Sequence, residues 1–163
     1  MAVYTDVSDE ELEAFVATYD IGEVQSCKGI AEGVENSNYL LQTDRGNYIL
    51  TLYEKRVEPK DLPFFLGLMD HLATQNFPCP TPIHDRDGKA LRELCGRPAA
   101  LTSFLSGLWP KRVAPDHCKG VGGIAAKMHL AAEGFEPTRK NGLDRAGWQE
   151  LFTQTKERAD EIQ

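Results

Sequence analysis

The groups best suited to holding a phosphate lie near the start of the chain, in Gly29-Ile30-Ala31-Glu32-Gly33-Val34-Glu35-Asn36-Ser37-Asn38. Glycine has no Cβ, so at Gly29 and Gly33 the backbone can approach a ligand and turn N–H groups toward anionic oxygens. Asn36, Ser37 and Asn38 add side-chain hydrogen-bonding groups where the chain turns back. The chemistry on offer is the gripping of a nucleotide polyphosphate by amides. The same residues also suit an ordinary polar hairpin, and the pattern alone does not separate the two.

Other reactive groups are scattered. Cys27, Cys79, Cys95 and Cys118 contain no C-x-x-C pair and read as reduced, buried thiols. His71, His84, His117 and His129 lack metal-ligand spacing, and His117 beside Cys118 is too little for a zinc site. A net charge of −7 and a pI near 5.1 argue against a nucleic-acid partner, because phosphate neutralisation needs clustered cations. No apolar run approaches the roughly 18 residues of a membrane span. The acidic N-terminus is unlike a secretory leader, so a cytoplasmic location is expected.

With 41% hydrophobic and 26% charged residues, the composition is that of a globular protein. Its 163 residues suit one domain, or one and a half lobes of a larger one. Ser8 and Glu11 form a capping box, and Leu12, Phe15, Val16 and Tyr19 follow at helical spacing, with Gly22 past the end. Strands are expected at 24–29, 37–42 and 47–54, with Asp44-Arg45-Gly46 as a tight turn in which Gly takes positive φ. The third is rich in Tyr, Ile and Leu with little alternation, so both its faces should be covered.

A helix should run from Pro59 to Gln75, burying Leu62, Phe65, Leu66, Met69 and Leu72 against the sheet. Residues 77–82 are too rich in proline for a helix. Asp85-Arg86-Asp87-Gly88 reads as a hairpin turn and 99–105 as a covered strand. Further helices are expected at 116–132 and from the Asp144 cap to Gln163. The fold class is α+β: a small mixed lobe over 1–105, then a connector and the start of a helical lobe over 106–163.

Four strings carry a family resemblance: Glu32–Tyr39, Tyr48–Arg56, Asp61–Met69 and Gly96–Ala100. They resemble the amino-terminal half of bacterial homoserine kinases of the type related to aminoglycoside and choline phosphotransferases. The resemblance implies a protein-kinase-like fold, ATP with Mg2+ as donor, and L-homoserine as acceptor in threonine biosynthesis. It places the nucleotide against Gly29, Ile30, Ala31, Glu32, Gly33, Val34, Asn36, Ser37 and Asn38. It also places an interlobe hinge at Ser103, Phe104 and Leu105, where backbone groups would read the adenine edge. Val34, Ile49 and Leu105 are candidates to sandwich the ring; each equally suits the core, and Ile49 suits the core better.

The chain departs from the family pattern at two positions. Thr51 stands where kinases of this fold carry a phosphate-binding Lys or Arg, with Lys55 or Arg56 left to reach in from the strand end. Phe65 stands where the partner Glu would be. No His-x-Asp-x-x-x-x-Asn catalytic loop is present, and His84-Asp85-Arg86-Asp87 lacks its spacing. The metal ligands and base are therefore expected in a missing C-terminal part, no catalytic residue is assigned here, and these residues alone should be inactive. Alternatives are a non-catalytic nucleotide-binding or interaction module and a choline-type kinase. Trp109, Trp148 and Phe152 should leave exposed apolar surface that favours self-association.

Overall fold

The computed structural model describes residues 3–31, 35–54 and 57–161. Helix α1 spans Asp9–Val16, and its capping box forms as expected, with the Ser8 hydroxyl accepting from the Glu11 N–H. Strands β1 (Val24–Gly29), β2 (Asn36–Thr43) and β3 (Gly46–Tyr53) make an antiparallel meander. A 3-10 turn at Pro59–Asp61 leads into α2 (Leu62–Thr74). Strands β4 (Arg92–Leu94) and β5 (Arg97–Ser103) complete a five-stranded sheet of order β1-β2-β3-β5-β4. Helices α3 (Pro115–Ala131) and α4 (Arg145–Thr155) follow, then a 3-10 segment at Lys156–Glu161.

The core lies on one face of this sheet. Tyr39 and Leu41 of β2, Leu50 and Leu52 of β3, and Ala99 and Leu101 of β5 pack with Leu12, Phe15 and Val16 of α1. Each such burial removes a large apolar side chain from water, worth about 1.5–3 kcal/mol. The expectation that both faces of β3 are covered is not met: Leu50 and Leu52 are buried, while Tyr48, Ile49, Thr51 and Tyr53 are half-buried. The α1 layer covers one face only, and the alternation that apolar Ile49 and Tyr53 hide in the sequence is real in the fold.

The first hairpin turns on Asp44-Arg45, and Gly46 opens β3 at positive φ (159°), as expected. Other expectations shift. The second hairpin turns at Cys95-Gly96, both at positive φ (52° and 67°), as a two-residue type I′ connection requires. On α2, Leu62, Leu66 and Leu72 are buried, but Phe65 is 36% exposed. Its ring instead lies under the Arg139 guanidinium at 5.0 Å, and Arg139 also pairs with Asp61 at 2.7 Å. Helix α4 closes at Thr155 rather than running on, and Gln163 lies outside the described residues.

Beyond β5 the surface changes character. Helices α3 and α4 bury no side chain among the described residues, and Leu108, Trp109, Val113, Val121, Trp148 and Phe152 are exposed. The segment after α3 reaches back to α2, where Phe135 packs against Phe64 and His71. No helix of the described residues is long and apolar enough to cross a membrane.

The turn expected to join two strands at 85–88 has a different task. Asp85 is buried, accepting N–H bonds from Asp87 (2.9 Å) and Lys89 (2.8 Å) and pairing with Arg92 at 2.7 Å. Arg86 donates to the carbonyls of Thr18 and Ala17, which fastens the turn to the end of α1. The Lys89 N–H bond does most to hold the Asp85 carboxyl below its ordinary value of 3.8, aided by Asp87 and Arg92 and opposed by burial. A lowered folded value means the carboxylate stabilises the fold fully above 3.8 and less as pH falls through that lowered value. The unfolding midpoints of the unchanged protein and Asp85→Asn should therefore differ most at neutral pH and converge below 3.8. A gap that stays constant with pH would contradict this role for the charge.

Candidate functional site

The antiparallel register sorts the predicted residues onto two faces. Directly opposed residues share a face, and Ser37 pairs with Leu52, Asn38 with Thr51, and Leu40 with Ile49. Ser37 therefore belongs to the core face, where it is fully buried and donates to Glu54 Oε1 at 2.6 Å. Its hydroxyl is not available to a ligand, which corrects its expected side-chain role. Asn36, Asn38, Leu40, Ile49 and Thr51 lie on the opposite, incompletely covered face.

At the position of the missing strand cation, Thr51 donates its hydroxyl to Asn38 Oδ1 at 2.8 Å. That bond orients the Asn38 amide and leaves its NH2 group to donate. Nearby, Asn36 Oδ1 is buried and has no hydrogen-bond partner among the described residues. Lys28 of β1, opposite Leu40, brings an exposed ammonium to the same face, with no ion pair among the described residues. The sequence reading passed over Lys28 because it precedes the glycine within a strand. It also missed Leu40, the exception to a β2 pattern in which the large apolar residues Tyr39 and Leu41 point to the core.

Gly29 ends β1, and the Ile30 N–H donates to the Asn38 carbonyl at 2.8 Å, so the two arms of the loop are joined at its base. Ala31 follows at the edge of the described stretch. Glu32, Gly33, Val34 and Lys55, with Arg56, lie outside the described residues.

At the other end of the face, Ser103 closes β5. Its N–H donates to the Thr81 carbonyl at 2.9 Å, and its hydroxyl accepts from the Thr81 N–H at 2.9 Å. The Phe104 N–H donates to the Asn47 carbonyl at 3.3 Å. These groups are engaged within the protein. The first hinge N–H without a bond among the described residues is that of Leu105, whose side chain is half exposed. Leu40 and Ile49, paired on this face and half-buried, therefore share it with the side chains of Lys28, Asn36, Asn38 and Thr51. Among the described residues, no three His, Cys, Asp or Glu side chains come together as a metal ion needs.

The model of the phosphotransferase enzyme family matches residues 26–162. A homoserine kinase of Paramagnetospirillum magneticum is 67% identical over 162 residues, and one of Rhodospirillum rubrum is 59% identical over the same length. Each alignment takes in 99% of this chain and 50% of the relative, so the chain spans about half the length of the curated relatives it matches. Among solved structures, an aminoglycoside phosphotransferase of Alicyclobacillus acidocaldarius superposes with a TM-score of 0.61 at 19% identity, over 96% of this chain and 45% of that one. A spectinomycin phosphotransferase solved with ADP and spectinomycin gives 0.60 at 13% identity, over 94% and 55%. These likenesses establish the fold.

The Thr51–Asn38 bond has a checkable value. Thr51→Val keeps the shape and removes the donor, so it should cost about 1 kcal/mol in urea unfolding. No change, or a gain, would mean that the pair contributes nothing to ordering this face.

Proposed function

We propose that this chain, which belongs to the phosphotransferase enzyme family, forms the ATP-binding part of a homoserine kinase. The observation that carries the reading is its high identity to homoserine kinases over nearly its whole length. In this reading the adenine lies over Leu40 and Ile49, with its edge at the Leu105 N–H and Val34 as a further candidate to contact the ring. The triphosphate sits under the 29–38 loop, held by backbone N–H groups, the Asn36 and Asn38 side chains and the Lys28 ammonium, with Lys55 available from the end of β3.

Two features of the face support this assignment. Phosphoryl transfer depends on positioning and charge neutralisation more than on covalent chemistry by the protein, and amides and cations supply both. The apolar pair Leu40–Ile49 also suits a planar base better than a charged group. Residues 1–105 would form the small lobe, and 106–163 the hinge and first helices of the second lobe. Mg2+ bound with the nucleotide would supply charge neutralisation, and the residues that would hold it are expected outside these 163 residues.

The γ-phosphoryl group would pass from ATP to the side-chain hydroxyl of L-homoserine in the cytoplasm, giving ADP and O-phospho-L-homoserine. Residues 1–163 taken alone would bind ATP but not turn it over. Their exposed apolar helix faces would promote self-association, visible as concentration-dependent sedimentation.

A polypeptide extended to the length of the relatives should release ADP steadily only when ATP, Mg2+ and L-homoserine are all present, with choline a poor substitute. The 163 residues alone should release none. Equal turnover with choline would reassign the acceptor, and steady turnover by the 163 residues would contradict the division of labour.

A further inference from the structure

The face opposite the proposed nucleotide carries a polar cluster that none of the chemistry above uses. Glu54, at the end of β3, has a side chain only 6% exposed and gathers three segments. Its Oε1 accepts from the Ser37 hydroxyl (2.6 Å) and the Thr5 hydroxyl (2.7 Å), and its Oε2 lies 3.3 Å from Arg97 Nε. Ser37 Oγ in turn accepts from the N–H groups of Tyr4 (2.8 Å) and Thr5 (3.2 Å). Its one donor and both its acceptor sites are thus occupied. Tyr39, whose phenol burial pushes up to about 12, stays protonated and donates to the Thr5 carbonyl. Val3 packs so closely on Gly29 that a Cβ there would meet Val3 Cγ2 at 2.8 Å.

The contacts fall at chosen points. Gly29 ends β1 on one arm of the loop, Ser37 lies on the β2 arm, and Glu54 follows directly after β3, which pairs with β2. A strap of residues 3–5 therefore touches both arms of the loop from behind, and the carboxylate that ties it down is nearly shielded from water. In such shielding, charge-assisted bonds are stronger than on the surface, and losing one leaves a buried group unpaired.

We propose that residues 3–5, locked by the Thr5–Glu54–Ser37 cluster, act as a positioning brace that sets the geometry of the two arms at 29–31 and 35–38 and hence their grip on a polyphosphate. The second half of this statement rests on the nucleotide reading, and the first half does not. Thr5, Ser37 and Glu54 are positioning residues, since none of them lies on the ligand face.

Amide hydrogen exchange reads the brace without any ligand. Thr5→Val, which keeps the shape and loses the hydroxyl, should speed exchange at the Ile30 amide roughly tenfold, the equivalent of about 1.4 kcal/mol. The Ile83 amide, bonded to the Leu101 carbonyl away from the strap, should stay unchanged, and Thr5→Ser should restore the original rate at Ile30. Faster exchange at both amides, or at neither, overturns the brace. ATP titration of the same proteins reads the second half: Thr5→Val should weaken binding several-fold and Thr5→Ser should not. Equal affinities with altered exchange would separate the brace from nucleotide grip. No ATP binding by the unchanged protein would defeat the nucleotide reading and leave the exchange result to decide the brace.

Discussion

The β2–β3 hairpin closes between Thr43 and Gly46, and that closure sets the parity of every side chain along both strands. Tyr39, Leu41, Leu50 and Leu52 fall on the side of α1, and Asn36, Asn38, Ile49 and Thr51 on the other. A slip of one residue would exchange the two sets, burying the asparagines and exposing the leucines. The hydrophobic gain from the leucines therefore fixes the amides in place. Core stability and the polar make-up of the opposite face are two consequences of one register.

The two faces are occupied differently along the strands. Near α1 the core face is apolar, but at the loop end it becomes polar, with Ser37, Glu54 and Arg97 meeting the N-terminal strap. A glycine-containing loop needs backbone freedom to approach a ligand, and that freedom costs order. Polar ties at its base, from Thr5 and Glu54 to Ser37, lie on the face away from Asn38 and Thr51. At the end of β5, Thr81 and Asn47 occupy the Ser103 and Phe104 amides, and the Leu105 amide has no bond among the described residues.

Much of this was legible from residues close together in the chain. The Ser8–Glu11 capping box and the Asp144 cap each rest on partners three residues apart, so spacing alone reveals them. The strands of the meander were found to within a residue or two. The faces were harder. Ser37 looks like its asparagine neighbours in sequence, and only its register against Leu52 separates it from them. Cys95 at positive φ is a poor local signal for a type I′ turn, because asparagine or aspartate usually holds that place. The exposure of Phe65 depends on Arg139, and the engaged hinge amides depend on Thr81 and Asn47; both are long-range facts that periodicity does not encode.

The central claim is that a nucleotide lies on the face bearing Leu40, Ile49 and Thr51, with its base at Leu105. Titrating ATP into the isotopically labelled protein while following backbone amide signals tests it most directly. Shifts should concentrate at residues 28–31, 38–40, 49–51 and 105, and spare the α1 residues Leu12, Phe15 and Val16. Saturable shifts centred on α1 or on the far ends of α3 and α4, with the Leu105 amide unmoved, would contradict it.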